Sequence, residues 1–555
     1  MNSLSAVNRT RSAIADFIRS HPFVTLCLVG AFVSFVGISN ELWTPDEPRD
    51  AAIGRAMWES GDWIIPRLNG APFLEKPPFY WWVQSMLFGA FGHASPTLAR
   101  LPSATFGFLS LLLTYALGRR FFAKETCLTG CLILLSTALF SLTTHWIVVD
   151  NALLFAVTGA WALFAHAERR VGAARQLMFL GMYIFLAIAF LTKGVVGLGI
   201  PALGMGTYLL WSRRMRHFFG WHFLMGGVLV AGSASLWLWL LWREGGRGSL
   251  ETFLFYNQFG RFFPDPKTYQ GGHVRPIWYY FLNTPADLLP WTPFVLLAAL
   301  STWRNWRNLP DVERDGLRLC VAGTLPVFFA LSLAGTKRGM YLLPIFPLIA
   351  LFVASWANSA EQRQGWESKL EHGWEIFLIA CVVVSPAAIF LAPSRWPFWF
   401  ASVVVLFAFL YLLRFPVPAE RPGRLRGTAL LVCLTIGSLS ITLRPFVDQF
   451  KSFLPFVRQL EQHVSPAMPL SAYRPDETTL GVVGFYTGRQ VAIVGLEELK
   501  TTADGSGTIW LITRDNKKTG GYYGEIQNAG IPHRVLSEQV IGDGRIMRIL
   551  AVGRT

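Results

Sequence analysis

Long apolar runs alternate with short polar connections along most of this sequence. Runs of about 17 to 25 residues, each long enough to cross a bilayer as a helix, recur between residues 22 and 444. At this window length the pattern predicts about thirteen membrane-spanning helices. They lie at residues 22–38, 97–118, 127–145, 147–167, 177–192, 195–212, 218–242, 276–300, 317–334, 340–357, 374–392, 396–413 and 427–444. The chain is therefore predicted to be a polytopic α-helical membrane protein.

The last segment, residues 446–555, has a different pattern. Period-two alternation at 508–513 and 539–550 is separated by polar stretches of helical length. We expect a transmembrane domain over 1–445 and a small C-terminal α/β domain over 446–555. The strands are predicted near 468–473, 490–494 and 508–513, and the helices near 476–487 and 516–529.

Composition agrees with the apolar pattern and excludes an ordinary soluble enzyme. Hydrophobic residues make up 52% of the 555 residues and charged residues 15%, while the formal net charge is +15. Lys and Arg are concentrated in every second connection, which the positive-inside rule assigns to the cytoplasm together with the N-terminus. An odd number of spans then places the C-terminal domain outside, which in a bacterial inner membrane is the periplasm. These basic connections lie near 119–124, 169–175, 213–216, 304–318 and 414–426.

The first outer loop, residues 39–96, begins with two adjacent acids, Asp46 and Glu47, ahead of a proline. Acids and proline are favoured in the first turn of a helix, so helix-start chemistry is one interpretation and a functional acid pair is the other. Residues 51–59 then resemble an amphipathic helix at the membrane interface, with Met57 and Trp58 facing the bilayer.

The same loop continues with Glu75 and Lys76 directly before two prolines. Prolines exclude a helix interior here, so the acid and the base occupy a rigid extended turn. Tyr80 and the tryptophans after it suit an interfacial aromatic belt, and a surface ion pair beside such a belt is the alternative to a site.

Further polar residues fall on the same predicted outer side, where charges are costly and are functional candidates by default. A second long outer loop is expected at 243–275. The residues concerned are Asp150, Lys193, Asn257, Arg261, His273, Lys337, Arg338 and Tyr341.

Several cations beside carboxylates at one membrane face suit a particular chemistry. Lys and Arg offset the charge of a lipid-borne phosphate as a bond to it breaks, and a carboxylate takes a proton from an acceptor or binds an amine. We therefore expect transfer of a group from a lipid phosphate, with no cofactor required. A divalent metal held by Glu75 and His273 is the alternative, although two ligands fall short of a metal site.

Motifs spread over residues 40–350 carry a family resemblance. They are Trp43-Thr-Pro-Asp46-Glu47-Pro-Arg49, Gly61-Asp62-Trp63, Glu75-Lys76-Pro77, Thr192-Lys193-Gly194, Arg261, Pro290-Trp291 and 337–344. As a set, in this order, they resemble the membrane glycosyltransferases that move 4-amino-4-deoxy-L-arabinose from undecaprenyl phosphate to lipid A. More distantly they resemble the protein O-mannosyltransferases that use polyprenyl-phosphate mannose.

The resemblance implies an integral-membrane glycosyltransferase fold of the GT-C type, a periplasmic active site and a role in polymyxin resistance. It makes Asp46 the catalytic aspartate, with its neighbour Glu47 as the second catalytic candidate, and Lys76, Lys193 and Arg261 the phosphate-binding cations. Glu75 and Asp150 become acidic residues of the cavity. The remaining substrate-binding candidates are Arg49, Tyr80, Lys337, Arg338 and Tyr341.

Two departures leave the sugar open. After the arginine that corresponds to Arg49, many relatives carry tyrosine and then Ala-Glu, whereas this chain has Asp50, Ala51 and Ala52. Before the arginine of the second long loop, aminoarabinose transferases often carry Glu-His, whereas this chain has Asn257 and Gln258. A lipid A phosphate is already ionised, so Asp46 would position it; a hydroxyl acceptor would need Asp46 as a base. Direct displacement predicts inversion in either case.

The expected partners are a polyprenyl-phosphate sugar donor, a lipid A-type acceptor and membrane lipids, with no nucleic acid. The alternative within the enzyme class is a protein O-mannosyltransferase. A lipid or sugar transporter is the alternative outside it, but transporters place charges near the midplane and repeat their halves, and this sequence shows neither feature.

Overall fold

The structure is a computed structural model that describes residues 16–43, 46–264, 272–359, 365–384, 421–504, 508–516, 520–541 and 544–553. Its chain divides into two compact units. Unit 1 comprises Met1–Gly37, Glu75–Pro77 and Ser103–Thr442, and unit 2 comprises Ile38–Leu74, Pro78–Pro102 and Leu443–Thr555. Most of the predicted first outer loop and the C-terminal segment therefore contribute to the same unit.

Two helices, Pro96–Gly118 and Arg421–Lys451, each belong partly to unit 1 and partly to unit 2. The rest of unit 1 is helical. Its α-helices are Pro22–Phe35, Lys124–Leu135, Ala138–Thr143, Asp150–Ala167, Gly172–Lys193, Val195–Trp211, Met215–Phe218, Trp221–Glu251, Gly260–Phe262, Tyr279–Asp287, Thr292–Asn305, Asp311–Leu333, Phe346–Asn358 and Gly365–Val384. A π-helix, Thr252–Phe259, and two 3₁₀-helices, Trp306–Asn308 and Gly339–Ile345, complete the set for the described residues.

Helices long and apolar enough to cross a bilayer confirm a multi-pass membrane protein. Six of them occur in the described part of the chain, while Pro22–Phe35 and Val195–Trp211 are shorter apolar helices. The predicted span 396–413 and the end of 374–392 lie outside the described residues, so the count of thirteen stays a prediction. The six are Pro96–Gly118, Gly172–Lys193, Trp221–Phe262, Asp311–Leu333, Gly339–Asn358 and Pro422–Ile441.

The segment predicted as a second long outer loop, 243–275, is helical over much of its described part. Helical backbone runs from Trp221 to Phe262 but is interrupted at Gly246, whose φ of 73° and ψ of 179° are not helical, close to the predicted end of the span at 242. Charged residues near 247 suggested a loop, but Arg247 and Glu251 lie one helical turn apart and pair at 2.6 Å, as such residues do on a helix surface. Asn257 consequently lies in the π-helical segment.

The core of unit 1 surrounds the helix Asp150–Ala167, most of which is buried. This helix packs closely against Gly172–Lys193 because Gly159, which has no side chain, lies at the contact. A Cβ at this position would overlap the ring of Phe185. Close backbone approach at small residues is the usual means of helix association in membranes, where lipid removes the hydrophobic driving force.

Unit 2 contains a mixed sheet covered by short helices. Its strands are β3 (Leu470–Tyr473), β4 (Ala492–Val494), β5 (Ile509–Asn516), β6 (Gly520–Gly521), β7 (His533–Ile541) and β8 (Arg545–Val552), numbered after the hairpin strands β1 (Arg67–Leu68) and β2 (Ala71–Pro72). They run in the order β4-β3-β5-β8-β7, with β6 paired to β5. Strand β3 is parallel to β4 and β5, while β8 is antiparallel to β5 and β7. The helices of this segment are Leu454–His463, Glu477–Thr487, Leu496–Asp504 and Tyr523–Asn528.

The strands β3, β4 and β5 and the helix Glu477–Thr487 lie close to their predicted positions, whereas the helices Leu454–His463 and Leu496–Asp504 were not predicted. The helix predicted over 516–529 is confined to Tyr523–Asn528, since residues up to 516 extend β5 and Gly520–Gly521 pairs beside it. The period-two stretch 539–550 belongs to the β7–β8 hairpin.

The first-loop part of unit 2 contains the helices Asp46–Ser60 and Phe79–Phe91 and a two-stranded hairpin, β1 (Arg67–Leu68) and β2 (Ala71–Pro72). Asp46–Ser60 packs against both Phe79–Phe91 and Glu477–Thr487. Met57 is consequently buried inside the protein and does not face the bilayer, contrary to the prediction.

Candidate functional site

A cavity in unit 1 gathers most of the predicted phosphate-binding residues. It holds about 510 Å³ of empty space, including its opening to solvent. Three cations and one carboxylate line it together with apolar side chains, a combination suited to an anion attached to a lipid. The lining residues of this basic cavity are Glu75, Lys76, Lys193, Val196, Asn257, Gln258, Arg261, Phe262, Leu331, Ala334, Thr336 and Tyr341.

Arg261 is held at the cavity by both its side chain and its main chain. Its Nη2 lies 2.8 Å from Glu75 Oε1. Its carbonyl oxygen accepts hydrogen bonds from Thr336 N at 3.0 Å and from Thr336 Oγ1 at 3.2 Å. Thr336 therefore fixes the main chain of Arg261, and Glu75 holds its guanidinium, which is a fork-shaped donor suited to phosphate oxygens.

Lys193 forms a buried ion pair with Asp150. The ammonium contacts Asp150 Oδ1, and the carboxylate is only 3% exposed. The Nζ atom also lies 4.0 Å from the centre of the Tyr341 ring, a favourable position for a cation. Asp150 is absent from the cavity lining among the described residues, so it acts on the cavity through Lys193.

The junction after Lys193 depends on glycine. Gly194 has a positive φ of 60° and separates the helices Gly172–Lys193 and Val195–Trp211. Gln258 Oε1 accepts a hydrogen bond from Val195 N at 3.0 Å, and a Cβ on Gly194 would overlap that amide. Gln258 therefore caps a helix start while it lines the cavity.

Lys76 differs from the other two cations. It is half-buried and lines the cavity, and within the described residues it forms no ion pair with a carboxylate. Its charge is consequently available to a ligand without the breaking of an existing pair.

Lys337 does not line the cavity, contrary to the prediction that it binds phosphate. It is 2% exposed and donates to two main-chain carbonyls, those of Arg275 (2.9 Å) and Ala334. Burial lowers the pKa of this ammonium. Its contacts instead join two chain segments, beside the backbone bridge between Val274 and Thr336.

Arg338 likewise lies outside the cavity lining, and its carbonyl accepts a hydrogen bond from Tyr280 at 3.2 Å. His273, proposed as a metal ligand with Glu75, is exposed, and its carbonyl accepts from Lys337 N at 2.9 Å. In the part of the chain that the structure describes, no three His, Cys, Asp or Glu side chains are grouped as metal ligands. Glu75 instead contacts Arg261.

A second polar group lies in unit 2 around Arg49, and we call Arg49, Asp46, Asp50 and Glu477 the Arg49 cluster. The guanidinium lies 3.2 Å from Asp46 Oδ1, 3.0 Å from Asp50 Oδ2 and 2.9 Å from Glu477 Oε2. It also covers the ring of Phe73 at 5.3 Å. One cation thus serves three carboxylates, including the predicted catalytic Asp46.

Glu47 has a different environment from its neighbour Asp46. Its two oxygens accept from Arg100 Nε at 2.7 Å and Nη2 at 2.8 Å, and one also accepts from Trp43 N at 2.8 Å. Arg100 donates further to the carbonyls of Asn40 and Glu41. These contacts give Glu47 a structural role in holding the start of the loop. Tyr80, a predicted substrate-binding residue, is fully buried in the same unit.

Sequence reasoning missed several residues that complete these sites. Arg100 stood inside an apolar run, and the cost of a buried charge there could have identified it. Thr336 and Glu477 gave no comparable signal, because a hydroxyl and a surface acid are common and their partners are distant in sequence, while Gln258 was noted only as a departure from the family pattern.

Comparison with known proteins agrees with this architecture. Residues 31–251 match the family model of dolichyl-phosphate-mannose-protein mannosyltransferases. Two similar proteins are named undecaprenyl phosphate-alpha-4-amino-4-deoxy-L-arabinose arabinosyl transferases. The one from Proteus mirabilis is 28% identical over 66% of this chain and 66% of its own length, and the one from Pseudomonas aeruginosa strain LESB58 is 28% identical over 70% and 74%.

The crystal structure of ArnT from Cupriavidus metallidurans bound to undecaprenyl phosphate superposes with a TM-score of 0.74. It is 20% identical in sequence, and the match covers 96% of this chain and 98% of that one. The predicted resemblance to aminoarabinose transferases is confirmed, and the chain has the fold of an integral-membrane glycosyltransferase of this type.

Proposed function

We propose that this protein transfers a sugar, 4-amino-4-deoxy-L-arabinose, from undecaprenyl phosphate to lipid A. The observation that carries the proposal is the basic cavity, in which Lys76, Lys193 and Arg261 lie among apolar side chains. The similar proteins are named for the same donor and sugar, and they match this chain over about 70% of its length.

The lining of the cavity suits both the isoprenoid chain and the phosphate of the donor. Val196, Phe262 and Leu331 offer apolar contact to an isoprenoid chain. The cations offset the charge that develops on the polyprenyl phosphate as it leaves the anomeric carbon, and such preorganised charge often contributes more to catalysis than any other effect. No metal is required in this scheme, because the side chains themselves supply the positive charge.

Asp46 acts on the acceptor side of the reaction. Arg49, 3.2 Å away, holds its carboxylate in place. If the acceptor is a lipid A phosphate, Asp46 orients it or binds the sugar amine; if the acceptor is a hydroxyl, Asp46 takes its proton. The acceptor oxygen forms the new bond to the anomeric carbon as the bond to phosphate breaks, so the product is inverted.

The mannosyltransferase family match favours a second candidate, transfer of mannose from a polyprenyl phosphate to protein. The two are separated by supplying the purified enzyme with each donor in turn, with lipid A or a serine-containing peptide as acceptor. Transfer of mannose to the peptide, without transfer of aminoarabinose to lipid A, would favour the second candidate over our proposal.

The decisive experiment is mass spectrometry of lipid A from cells with and without this protein. We expect a mass increase equal to one aminoarabinose residue, accompanied by greater polymyxin resistance, only where the protein is present. Identical lipid A spectra from cells that express the protein and cells that lack it would refute the proposed acceptor.

We also propose that the protein lies in the inner membrane with its site on the periplasmic face. Cysteines introduced near Arg214 and Arg424 should resist membrane-impermeant thiol reagents in intact cells and react after permeabilisation. Labelling in intact cells would invert this orientation.

A further inference from the structure

The C-terminal segment makes close contact with the helix that begins at Asp46. The helix Glu477–Thr487 packs on Asp46–Ser60 within unit 2, and the two backbones lie close together at Gly481. A Cβ at Gly481 would lie 2.5 Å from the backbone nitrogen of Arg49 and 2.6 Å from the carbonyl carbon of Pro48. Because backbone atoms cannot rotate away, any side chain there would displace the first turn of the other helix.

Polar contacts continue along the same pair of helices. Glu477 Oε2 lies 2.9 Å from Arg49 Nη1, next to the contact of Arg49 with Asp46. Arg55 Nη1 donates to the carbonyl of Phe485 at 2.6 Å. The two helices are therefore fixed against sliding at both ends of their contact.

Two further connections fix the chain on either side of the Asp46–Ser60 helix. Before it, Tyr486 donates from its hydroxyl to Glu41 at 2.7 Å and accepts from Leu42 N at 3.1 Å. After it, the Asn69 side chain exchanges two hydrogen bonds with the backbone of Val491, at 2.8 and 2.7 Å. The C-terminal segment thus contacts the first-loop chain before, within and after that helix.

We propose that the C-terminal α/β segment is a positioning element that sets where the carboxylate of Asp46 lies, acting through Gly481 and Glu477. The proposal rests on the proposed function, since it takes Asp46 as the reacting acid. Glu477 and Gly481 are positioning residues: they act through Arg49 and the backbone of the first turn. No C-terminal residue lines the basic cavity among the described residues, so donor binding is expected to be independent of this contact.

The chain offers a matched pair of glycines for the test. Gly484 lies on the same helix, three residues further on, and a Cβ there would meet only the Cβ of Ala52 at 3.5 Å, an ordinary contact. Gly481→Ala and Gly484→Ala raise helix propensity equally. They differ only in whether the added methyl displaces the start of the Asp46 helix.

Both variants are assayed as full-length protein in lipid nanodiscs with undecaprenyl-phosphate aminoarabinose and lipid A. Gly481→Ala should lower kcat by about 10- to 100-fold with an unchanged donor KM, because displacing a reacting group by about 1 Å has effects of this size. Gly484→Ala should match the unmodified protein. Equal kcat values for the two variants, or a parallel rise in donor KM in Gly481→Ala, would overturn the positioning role.

A second variant keeps the test informative if Gly481→Ala fails to fold. Glu477 is 53% exposed, so its substitution spares the core. Glu477→Gln should lower kcat by about 5-fold, the size of effect of an exposed ion pair, and Glu477→Asp should restore part of it. Unchanged kcat in Glu477→Gln contradicts a role for this acid.

Hydrogen exchange separates failure of this inference from failure of the proposed function. Amides in the first turns of Asp46–Ser60 should lose protection in Gly481→Ala and keep it in Gly484→Ala, whatever the reaction. If protection changes in this way but the unmodified protein shows no transferase activity, the proposed function is refuted while the structural contact at Gly481 is supported. Equal protection in both variants, with normal activity, would remove the positioning role alone.

Discussion

The basic cavity and the Arg49 cluster have opposite charge ratios. The cavity has three cations and one carboxylate in its lining, whereas the cluster has three carboxylates around one cation. The first composition suits an anionic phosphate, and the second suits a group that supplies a proton acceptor or binds an amine. In the reaction that we propose, the cavity serves the leaving phosphate and the cluster serves the acceptor.

The largest effect is expected from the Arg49 cluster. Asp46→Asn keeps the shape of the side chain but removes its charge, and we expect kcat to fall by about 10³-fold, within the range for a general base. Donor KM should stay unchanged, measured by titration of the polyprenyl-phosphate sugar in nanodiscs. Normal turnover would remove Asp46 from the mechanism and leave the cavity as the only site.

Lys193→Met tests the cavity through its buried ion pair. Asp150 would be left buried without its partner, and uncompensated buried charges cost about 3–5 kcal/mol. We expect a lower thermal unfolding midpoint together with loss of transfer.

The double variant Asp150→Asn with Lys193→Met provides the control. It should recover most of the stability and none of the activity, because the charge at the cavity stays missing. Recovery of activity along with stability would show that the pair is structural only.

Lys76→Gln should weaken donor binding without lowering stability. The lysine has no ion pair within the described chain, so its loss leaves no acid without a partner. A hydrogen bond to a charged group contributes about 1.5–3 kcal/mol, which corresponds to a rise in donor KM of about 10- to 100-fold. Lys76→Arg should restore most of the affinity, and an unchanged KM in Lys76→Gln would exclude contact with the phosphate.

The smallest effect should have the opposite sign. Glu75 contacts Arg261 at 2.8 Å and carries the only negative charge among the described residues of the cavity lining, so it competes with a phosphate for that guanidinium. Glu75→Gln should therefore tighten binding of undecaprenyl phosphate by up to about 5-fold, the scale of a partly exposed ion pair. Weaker binding, measured by competition with the donor, would give Glu75 a direct role in holding the ligand.

The sequence allowed the grouping of Lys76, Lys193 and Arg261 to be predicted because topology constrains where loop residues lie. Alternating positive charge assigned the three cations to one side of the membrane, and the structure places them in one cavity. Period-two alternation likewise located the strands of the C-terminal segment, since each half-buried strand alternates its faces.

Other features depended on tertiary contacts that no local pattern encodes. Arg49 and Glu477 are far apart in sequence, and an arginine has no preference among acids until the fold selects one. The charge of Lys337 predicts phosphate binding, but the direction of its side chain toward two carbonyls is set by the packing of neighbouring segments.

The glycine between Lys193 and Val195 limits what substitution can do at this position. Its left-handed backbone and the adjacent Gln258 amide exclude every other side chain. A saturation library at residue 194 should therefore return glycine almost alone under selection for activity, while residue 258 should accept only side chains that still bond to Val195 N. Adaptation to a new donor would then have to arise at other cavity residues, such as Asn257, and not at this junction.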